Sequence, residues 1–427
     1  MKKTVFILYL FSCFSLVGQE TPAIANNKNI LLLDGTAHIG NGKYIKRSAI
    51  AIKDGKITLV ENALVKTIDT SGYDQVIRIK GKHVYPGFIS CNSTIGLMDI
   101  EAVRASRDSY EVGEFNPNVR SIIAYNTDSK ITPTVRSNGV LMGQICPKGG
   151  TISGSSSVVH FDAWNWEDAV VSLDEGIHLN WPKYKSLVDT ASFSNYYQRA
   201  LNSISSFFSR AKAYNNELNN SYFNIKLNAL KGIFNGEQQL YVHVNFVKEI
   251  NDVIQFKKDF KLQRLCIVGG ADSWMIAKRI KENNISIMLP RTHRLPNYSH
   301  QDIHLPYCTA GVLANEGVLF CIQNAGDMQE MITRNLPFMV GTAIAYGLDY
   351  EKGVSAISLN AAKILGIDHT VGSIEEGKDA TLFISSGDAF DVKTNNVEYA
   401  FIKGRLISLE NDQIRKYKKY KKKYDLK

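Results

Sequence analysis

Three small polar side chains occupy alternate positions at the end of a hydrophobic stretch near the start of the chain. In HVYPGFISCNSTIGL, residues 83–97, Ser90, Asn92 and Thr94 follow a run typical of a buried strand. Side chains two residues apart lie on one side of an extended chain, so the spacing predicts that these three share a face. The pattern indicates the lip of a site, where Asn92 and Thr94 would contact a substrate.

A histidine-rich segment is the second group with the means for chemistry. LPRTHRLPNYSHQDIHLPY, residues 289–307, contains His293, His300 and His304. Imidazole-rich loops can bind metals or acidic ligands, and these histidines are candidate substrate contacts. The alternative is a lid whose prolines set its shape while its histidines face solvent. We prefer the lid, because a loop punctuated by proline gives no fixed ligand geometry.

Other segments offer weaker candidates. CPKGGTISGSSSVV, residues 146–159, lacks the spacing of a phosphate-binding loop, and its glycines are typical of a tight turn that leads into a strand. Its serines form no G-x-S-x-G nucleophile elbow. Cys91 should point away from the Asn92 side of its strand, which favours a buried structural thiol.

The elements that must position these residues alternate between strand and helix. Apolar runs at 239–246, 265–270, 285–289 and 317–322 are separated by stretches of helical period, such as VKEINDVIQFKKDF. Repeated strand-then-helix units with continuous apolar strands predict a parallel sheet, and their number predicts a (β/α)8 TIM-like barrel over residues 83–369. In such a barrel the active face lies at the C-terminal ends of the strands.

Both ends of the chain have a different sequence pattern from the middle. Short apolar runs broken by Asp34-Gly35, Asn41-Gly42 and Asp54-Gly55 predict hairpins over residues 28–82, and a similar pattern returns at 370–409. Two separated β-rich blocks predict one accessory β-sandwich built from both chain ends.

The N-terminal segment reads as a targeting signal. Lys2-Lys3, an apolar run from Val5 to Val17, and the small and polar residues after it predict a signal peptide over residues 1–19. Lipidation at Cys13 is an alternative, although the flanking residues are unusual for it. Because no later segment is apolar enough to span a bilayer, we expect a periplasmic or secreted protein after cleavage.

The formal charge of +9 is concentrated at the ends of the chain. Residues 409–427 carry eight Lys and Arg against three Asp and Glu, so the body of the protein gives no support for nucleic-acid binding. Residues 410–427 predict a basic helix whose Ile414 and tyrosines pack against the barrel. Contact with an anionic lipid or polymer is the alternative. Five cysteines after the leader, with no CxxC pair, form neither a disulfide framework nor a zinc ribbon.

Several motifs occur together in an order that resembles the amidohydrolase superfamily, closest to its imidazolonepropionase-like branch. They are GTAHIGNG, DGKITLV, HVYPGFI, NAAKILGI and GSIEEGKDATLFI, spread between about Leu31 and Ile407. The resemblance implies a hydrolase of C–N bonds that uses one or two divalent metals, usually zinc, at the mouth of the barrel. The metal would acidify a water molecule to a pKa of roughly 7, and an Asp would move its proton.

The ligand pattern that the resemblance implies is mostly missing. The His-x-His positions after the first barrel strand hold Asn92 and Thr94, and the strand-six position falls in Gly269-Gly270. His243 in YVHVNF matches the strand-five histidine, and Asp327 lies about two residues beyond the strand-eight carboxylate. The resemblance thus implies catalytic roles for His243 and Asp327, with His243 as the remaining metal ligand. No strand-four Lys or Glu can be assigned.

Two functions are compatible with this pattern. The first is a periplasmic hydrolase of C–N bonds, acting on a cyclic or other non-peptide amide or a dipeptide, with no metal or a weakly held zinc ion. The second is a catalytically inactive relative that binds a small ligand or a partner at the barrel mouth. The sequence leaves open whether the chain forms a homo-oligomer.

Overall fold

The computed structural model describes residues 22–184, 190–216, 223–326 and 328–426, with the side chains of 190–194 left out. The predicted signal peptide, Cys13 and Asp327 therefore lie outside the described residues. Within the described ranges no helix combines the length and the apolar character that crossing a membrane requires.

The two ends of the chain meet in one eight-stranded sheet. Its strand order is β16-β15-β14-β5-β1-β2-β3, with β4 paired to β1. The link between the ends is the antiparallel pairing of β14 with β5, in which Leu382 lies opposite Pro86. The strands are β1 (Ile30–His38), β2 (Tyr44–Lys53), β3 (Lys56–Asn62), β4 (Gln75–Arg78), β5 (His83–Pro86), β14 (Leu382–Ser385), β15 (Val397–Ile402) and β16 (Arg405–Leu406).

The central part of the chain forms a second eight-stranded sheet, a nearly closed TIM-like barrel. Its strands pair in chain order, so that neighbours in sequence are neighbours in space. They are β6 (Phe88–Ser93), β7 (Val140–Ile145), β8 (Ile152–His160), β9 (Val170–Asn180), β10 (Gln239–Val244), β11 (Leu265–Gly269), β12 (Ser286–Leu289) and β13 (Phe320–Ile322). We call the edge formed by the C-terminal ends of its parallel strands the barrel mouth.

One strand departs from the predicted (β/α)8 pattern. β8 runs antiparallel to both of its neighbours, β7 and β9. Only residues 146–151 separate β7 from β8, and a parallel crossover needs a dozen or more residues. The short connection therefore reverses the chain, and the prediction of a uniformly parallel barrel was wrong at this position.

Helices pack around the barrel between its later strands. They are α1 (Ile131–Arg136), α2 (Trp166–Ala169), α3 (Thr190–Asn216), α4 (Ile225–Asn228), α5 (Lys231–Asn235), α6 (Val247–Phe260), α7 (Ala277–Glu282), α8 (Leu305–Asn315), α9 (Gln329–Ile332), α10 (Leu336–Ala345), α11 (Tyr350–Ala356), α12 (Leu359–Leu365) and α13 (Asp412–Lys423). Short 3-10 helices occupy Arg104–Ser106, Ser121–Ala124, Ser273–Ile276 and Thr333–Asn335. Helix α3 packs through Tyr197, Ile204 and Phe208, because one helical face meets the core.

The C-terminal helix differs from the prediction in its packing. Helix α13 begins after Asn411, whose side chain accepts a hydrogen bond from the Ile414 backbone N–H as a cap. Tyr417, Tyr420 and Tyr424 are each more than half exposed. The predicted packing of the tyrosine stripe against the barrel was therefore wrong, and the stripe faces solvent.

Candidate active site

The first barrel strand ends in a local distortion at Asn92. Its backbone has φ of 51°, in the left-handed region, and the pairing of β6 with β7 shifts register between Ser90 and Ser93. Such a bulge breaks the strict alternation of side chains. Cys91 lies with Ile89 in the buried cluster that includes Met142 and Tyr241, and Asn92 reaches the barrel mouth.

The Asn92 side chain is buried and fully engaged. Its amide N–H donates to Gln323 Oε1 at 3.0 Å, and its amide oxygen accepts from Lys148 Nζ at 2.8 Å. Its backbone N–H donates to Gln144 Oε1 at 2.9 Å. Because Gln323 follows β13, the Asn92 to Gln323 bond links the first and last strands of the barrel across its open seam.

Thr94 is equally enclosed. Its hydroxyl donates to Glu330 Oε1 and accepts from Gln329 Nε2, the latter at 2.5 Å. Both partners lie at the start of α9, the short helix that follows β13. The two side chains predicted to line the lip therefore hold the first barrel strand to the segment after the last one.

A continuous chain of polar side chains runs through the barrel beneath this lip. The Ser156 hydroxyl on β8 donates to Glu175 Oε1 at 2.5 Å, and Ser156 Oγ lies 2.9 Å from His178 Nε2. His178 Nδ1 lies 2.9 Å from His243 Nε2. Glu175 and His178 belong to β9 and His243 to β10, so three adjacent strands build one Glu175–Ser156–His178–His243 chain, which we call the relay.

The hydrogen bonds of the relay determine where its protons lie. A hydroxyl donates one hydrogen bond, and the Ser156 proton goes to the Glu175 carboxylate, so Ser156 Oγ must accept from His178 Nε2–H. His178 Nδ1 is then unprotonated and accepts from His243 Nε2–H. Neutral His243 consequently carries its free lone pair on Nδ1, and this residue is only partly buried. The relay thus ends in a proton acceptor at the mouth.

Burial adjusts the charges of these groups. It raises the pKa of Glu175 to about 6, although hydrogen bonds from Ser156, Tyr241 and Gln144 act in the opposite direction. Burial lowers the pKa of His243 to about 3, and the Lys148 charge adds to this effect. The pKa of His178 falls well below its usual value for the same reason, with further contributions from His243 and Lys148. Near neutral pH both imidazoles are therefore uncharged and Glu175 is ionised.

The predicted loop histidines lie apart from the relay. His293 Nε2 bonds Thr342 Oγ1 at 2.8 Å and lines a cavity of about 450 Å³ with Phe338 and Phe390. His300 stacks on Tyr298, and His304 stacks on Tyr346. Among the described residues, no hydrogen bond or ring contact joins any of the three to His243. Their role in binding a substrate stays a prediction.

The described residues at the mouth, which do not include Asp327, offer a poor set of ligands for the divalent metal that the resemblance implies. His178 uses both ring nitrogens within the relay, so it has no lone pair to offer a metal. The Asn92 amide oxygen already accepts an ammonium N–H. Over the ranges that the structure describes, no three His, Cys, Asp or Glu side chains are grouped so as to hold a metal.

The sequence pattern did not reveal most of these residues. His178 lies inside the segment EGIHLN, where nothing in the local pattern distinguishes it from a core histidine. Lys148 lies in the glycine-rich turn, which the structure confirms as a turn: Gly149 and Gly150 have φ of 86° and 61°. The signals that could have found them are a histidine near the end of β9 and a lysine shortly after β7, because functional residues of such barrels occur at the C-terminal ends of the strands.

Three comparisons with known proteins bear on the family. Residues 229–407 match the family model described as Amidohydrolase family. A 120-residue segment is 29% identical to imidazolonepropionase from Flavobacterium psychrophilum, and it covers 26% of this chain and 29% of that relative. The chain therefore aligns with less than a third of the length of this relative.

Solved structures show the same architecture. An amidohydrolase from Thermotoga maritima superposes with a TM-score of 0.75 at 21% identity, over 88% of this chain and 99% of that one. A prolidase complexed with N-methylphosphonate-L-proline superposes with a TM-score of 0.52 at 14% identity, over 89% and 99% of the two chains. At these identities the superpositions establish the fold. Together with the family match over residues 229–407, they make the chain similar to the amidohydrolase superfamily in both sequence and fold.

Proposed function

We propose that the protein hydrolyses a C–N bond in a small amide, with no metal or only a weakly held one. The observation that carries this proposal is the relay, which ends in a neutral imidazole at the barrel mouth. Because Glu175 is ionised, it accepts the Ser156 proton. This favours the arrangement of hydrogen bonds that leaves His243 Nδ1 free to accept a proton. This end of the barrel is also where catalytic residues of the fold occur.

The reaction follows from the position of that lone pair. His243 Nδ1 takes a proton from a water molecule as the water oxygen forms a bond to the amide carbonyl carbon. The C–N bond of the resulting tetrahedral intermediate then breaks, and the proton passes from His243 to the departing nitrogen. Glu175, through Ser156 and His178, stabilises the transient positive charge on His243 and keeps its ring oriented.

The proposed substrate class comes from the resemblance and the comparisons. The imidazolonepropionase relative favours a cyclic amide, and the prolidase neighbour favours a dipeptide. A cavity of about 320 Å³ opens at the same edge of the barrel, lined by Asn180 at the end of β9 and by Tyr196 and Ile204 of α3. It has the size for a small molecule of either class. We propose a periplasmic or secreted location, where such a substrate would be met.

The test is hydrolysis by the full chain in the presence and absence of a chelator. Five-membered cyclic amides and Xaa-Pro dipeptides are offered, and release of the new amine is followed. We expect turnover that resists chelation, with kcat reduced at least about 100-fold in His243→Phe. His369→Ala is the matched control, because that exposed histidine has no place in the relay or among the predicted substrate contacts, and it should retain wild-type activity.

Turnover that a chelator abolishes would contradict the metal-poor mechanism. A complete lack of turnover would favour the second candidate, a catalytically inactive protein that binds a small ligand or a partner. The enclosure of Asn92 and Thr94 supports that candidate, because their polar atoms are already bound within the protein. Metal analysis of protein purified without chelator should return less than about half an equivalent of zinc.

A further inference from the structure

Lys148 is a charged side chain of the mouth that the relay does not use. It follows β7, and its ammonium reaches the Asn92 amide oxygen at 2.8 Å. Asn92 occupies the first of the two positions where the resemblance implies metal-binding histidines. The lysine thus places a positive charge beside the position from which a metal would be held.

The backbone around Lys148 is held firmly in place. Its N–H donates to the Ser109 carbonyl oxygen at 2.7 Å, and it forms a parallel bridge with Tyr110. The glycine after it fits closely against this segment, since a Cβ at Gly149 would lie 2.9 Å from the Tyr110 ring. The direction of the side chain into the mouth is therefore set by packing on both sides of the turn.

The charge of Lys148 affects the pKa values of neighbouring groups in the mouth. It contributes to the lowered pKa of His243 and of His178, so both imidazoles lie within its field. Burial lowers the pKa of Lys148, and Cys146 and Glu330 act in the opposite direction. Glu330 also accepts the Thr94 hydroxyl, at the second of the implied metal-ligand positions.

We infer that Lys148 is the resident cation of the barrel mouth: its ammonium takes the place of the divalent ion and keeps such an ion out. Two positive charges in one partly buried site repel strongly, because few water molecules screen them. Asn92 and Thr94 suit this arrangement because both side chains are neutral. The Asn92 amide oxygen accepts a hydrogen bond from the Lys148 ammonium, and this contact requires no metal ion. The inference concerns the charge of the site, so it holds whether the mouth hydrolyses a substrate or only binds one.

The test measures zinc binding to the full chain, with zinc chloride as the only probe and a chromophoric chelator as competitor. We expect Lys148→Ala to bind zinc about tenfold more tightly or better than the wild type. Lys148→Gln, which keeps a donor for Asn92 but has no charge, should change in the same direction and serves if the alanine variant does not fold. Lys148→Arg keeps the charge and should exclude zinc as the wild type does.

Lys248→Ala is the matched control for the loss of a lysine near the mouth. That residue lies in the first turn of the helix after β10, and its exposed ammonium pairs with Asp252 at 2.8 Å. It should leave zinc affinity unchanged. Equal zinc affinity in the wild type and both neutral Lys148 variants, whether tight or undetectable, would overturn the inference. Zinc binding by the arginine variant at the alanine level would overturn it as well. None of these outcomes depends on whether an amide is hydrolysed.

Discussion

His178 and His243 lie on adjacent barrel strands with His178 Nδ1 2.9 Å from His243 Nε2. The ladder pairs His178 with Tyr241 and Asn180 with His243, so the two histidines meet diagonally. Tyr241 stacks on the His178 ring at 4.8 Å between centroids, and its hydroxyl donates to Glu175 at 2.6 Å. A single register therefore positions both imidazoles and the carboxylate that orients them.

Glu175 should make stability depend on pH in a direction unusual for an acid. Its folded pKa of about 6 exceeds the usual 4.5, so its contribution is present below pH 4.5 and is lost as pH rises through 6. Glu175→Gln removes this loss. The free energy of unfolding of the variant minus that of the wild type should therefore rise by about 2 kcal/mol as the pH increases from 4.5 to above 6. Urea unfolding of both proteins across this range measures the difference, and a constant difference would contradict the prediction.

The buried histidines should have the opposite effect. His243 has a lowered folded pKa of about 3, so its contribution is present above pH 6.5 and is lost as pH falls below it. As the pH falls from 6.5 to about 5, this histidine becomes protonated in the unfolded chain only. The free energy of unfolding should therefore fall by about 2 kcal/mol on account of this residue. His243→Asn should lose less stability than the wild type over that interval in urea titrations. The exposed His300→Asn is the control, and it should follow the wild-type slope.

Because the Asn92 backbone is left-handed, two replacements of this residue can distinguish the loss of its hydrogen bonds from backbone strain. Asn92→Gly loses the side-chain hydrogen bonds but accepts the φ of 51° without strain. Asn92→Ala loses the same bonds and adds a Cβ in that conformation, which costs about 1 kcal/mol more. We expect both variants to be destabilised by about 2 kcal/mol or more, with alanine the worse. Equal unfolding midpoints for the two would show that the left-handed conformation is not retained.

The packing of Gly176 against the relay can be tested with a single methyl group. A Cβ at Gly176 would lie 2.3 Å from the Tyr241 ring, which holds Glu175 by its hydroxyl. Gly176→Ala should lower the free energy of unfolding by about 2 kcal/mol or more. Gly72→Ala is the matched control, because a Cβ there meets nothing within 4 Å. A thermal midpoint for Gly176→Ala equal to that of the control would contradict this contact.

The strand order of the barrel could be predicted from the sequence because each later strand is a continuous apolar run. The predicted runs at 239–246, 265–270, 285–289 and 317–322 coincide with β10, β11, β12 and β13. The short connection over residues 146–151 was a signal for the reversal of β8. The glycines in this connection indicate a turn, but by themselves they do not show whether the next strand is parallel or antiparallel. His243 was found because it lies within such a run, at the position of the strand-five histidine that the resemblance implies.

The rest of the site could not be predicted because it depends on departures from regular alternation. Glu175 and His178 are three residues apart, so a regular strand would point them to opposite faces. In the structure the side chains of Glu175 and His178 nevertheless both reach Ser156, and the left-handed Asp174, with φ of 48°, lies directly before Glu175. Asn92 departs in the same way on β6. Such bulges are set by contacts with neighbouring strands, which a sequence pattern does not contain.

By itself the sequence determined the barrel, the joining of the two chain ends in a second sheet, and the presence of Asn92 and Thr94 where the resemblance implies histidines. These features depend on hydrophobic periodicity and residue identity, which are local. Only the tertiary structure decided that Glu175, Ser156, His178 and His243 form one relay, and that Lys148 places its charge beside Asn92. Those relationships join residues far apart in the chain, and burial in a shared interior, which sets their hydrogen bonds and pKa values, exists only after folding.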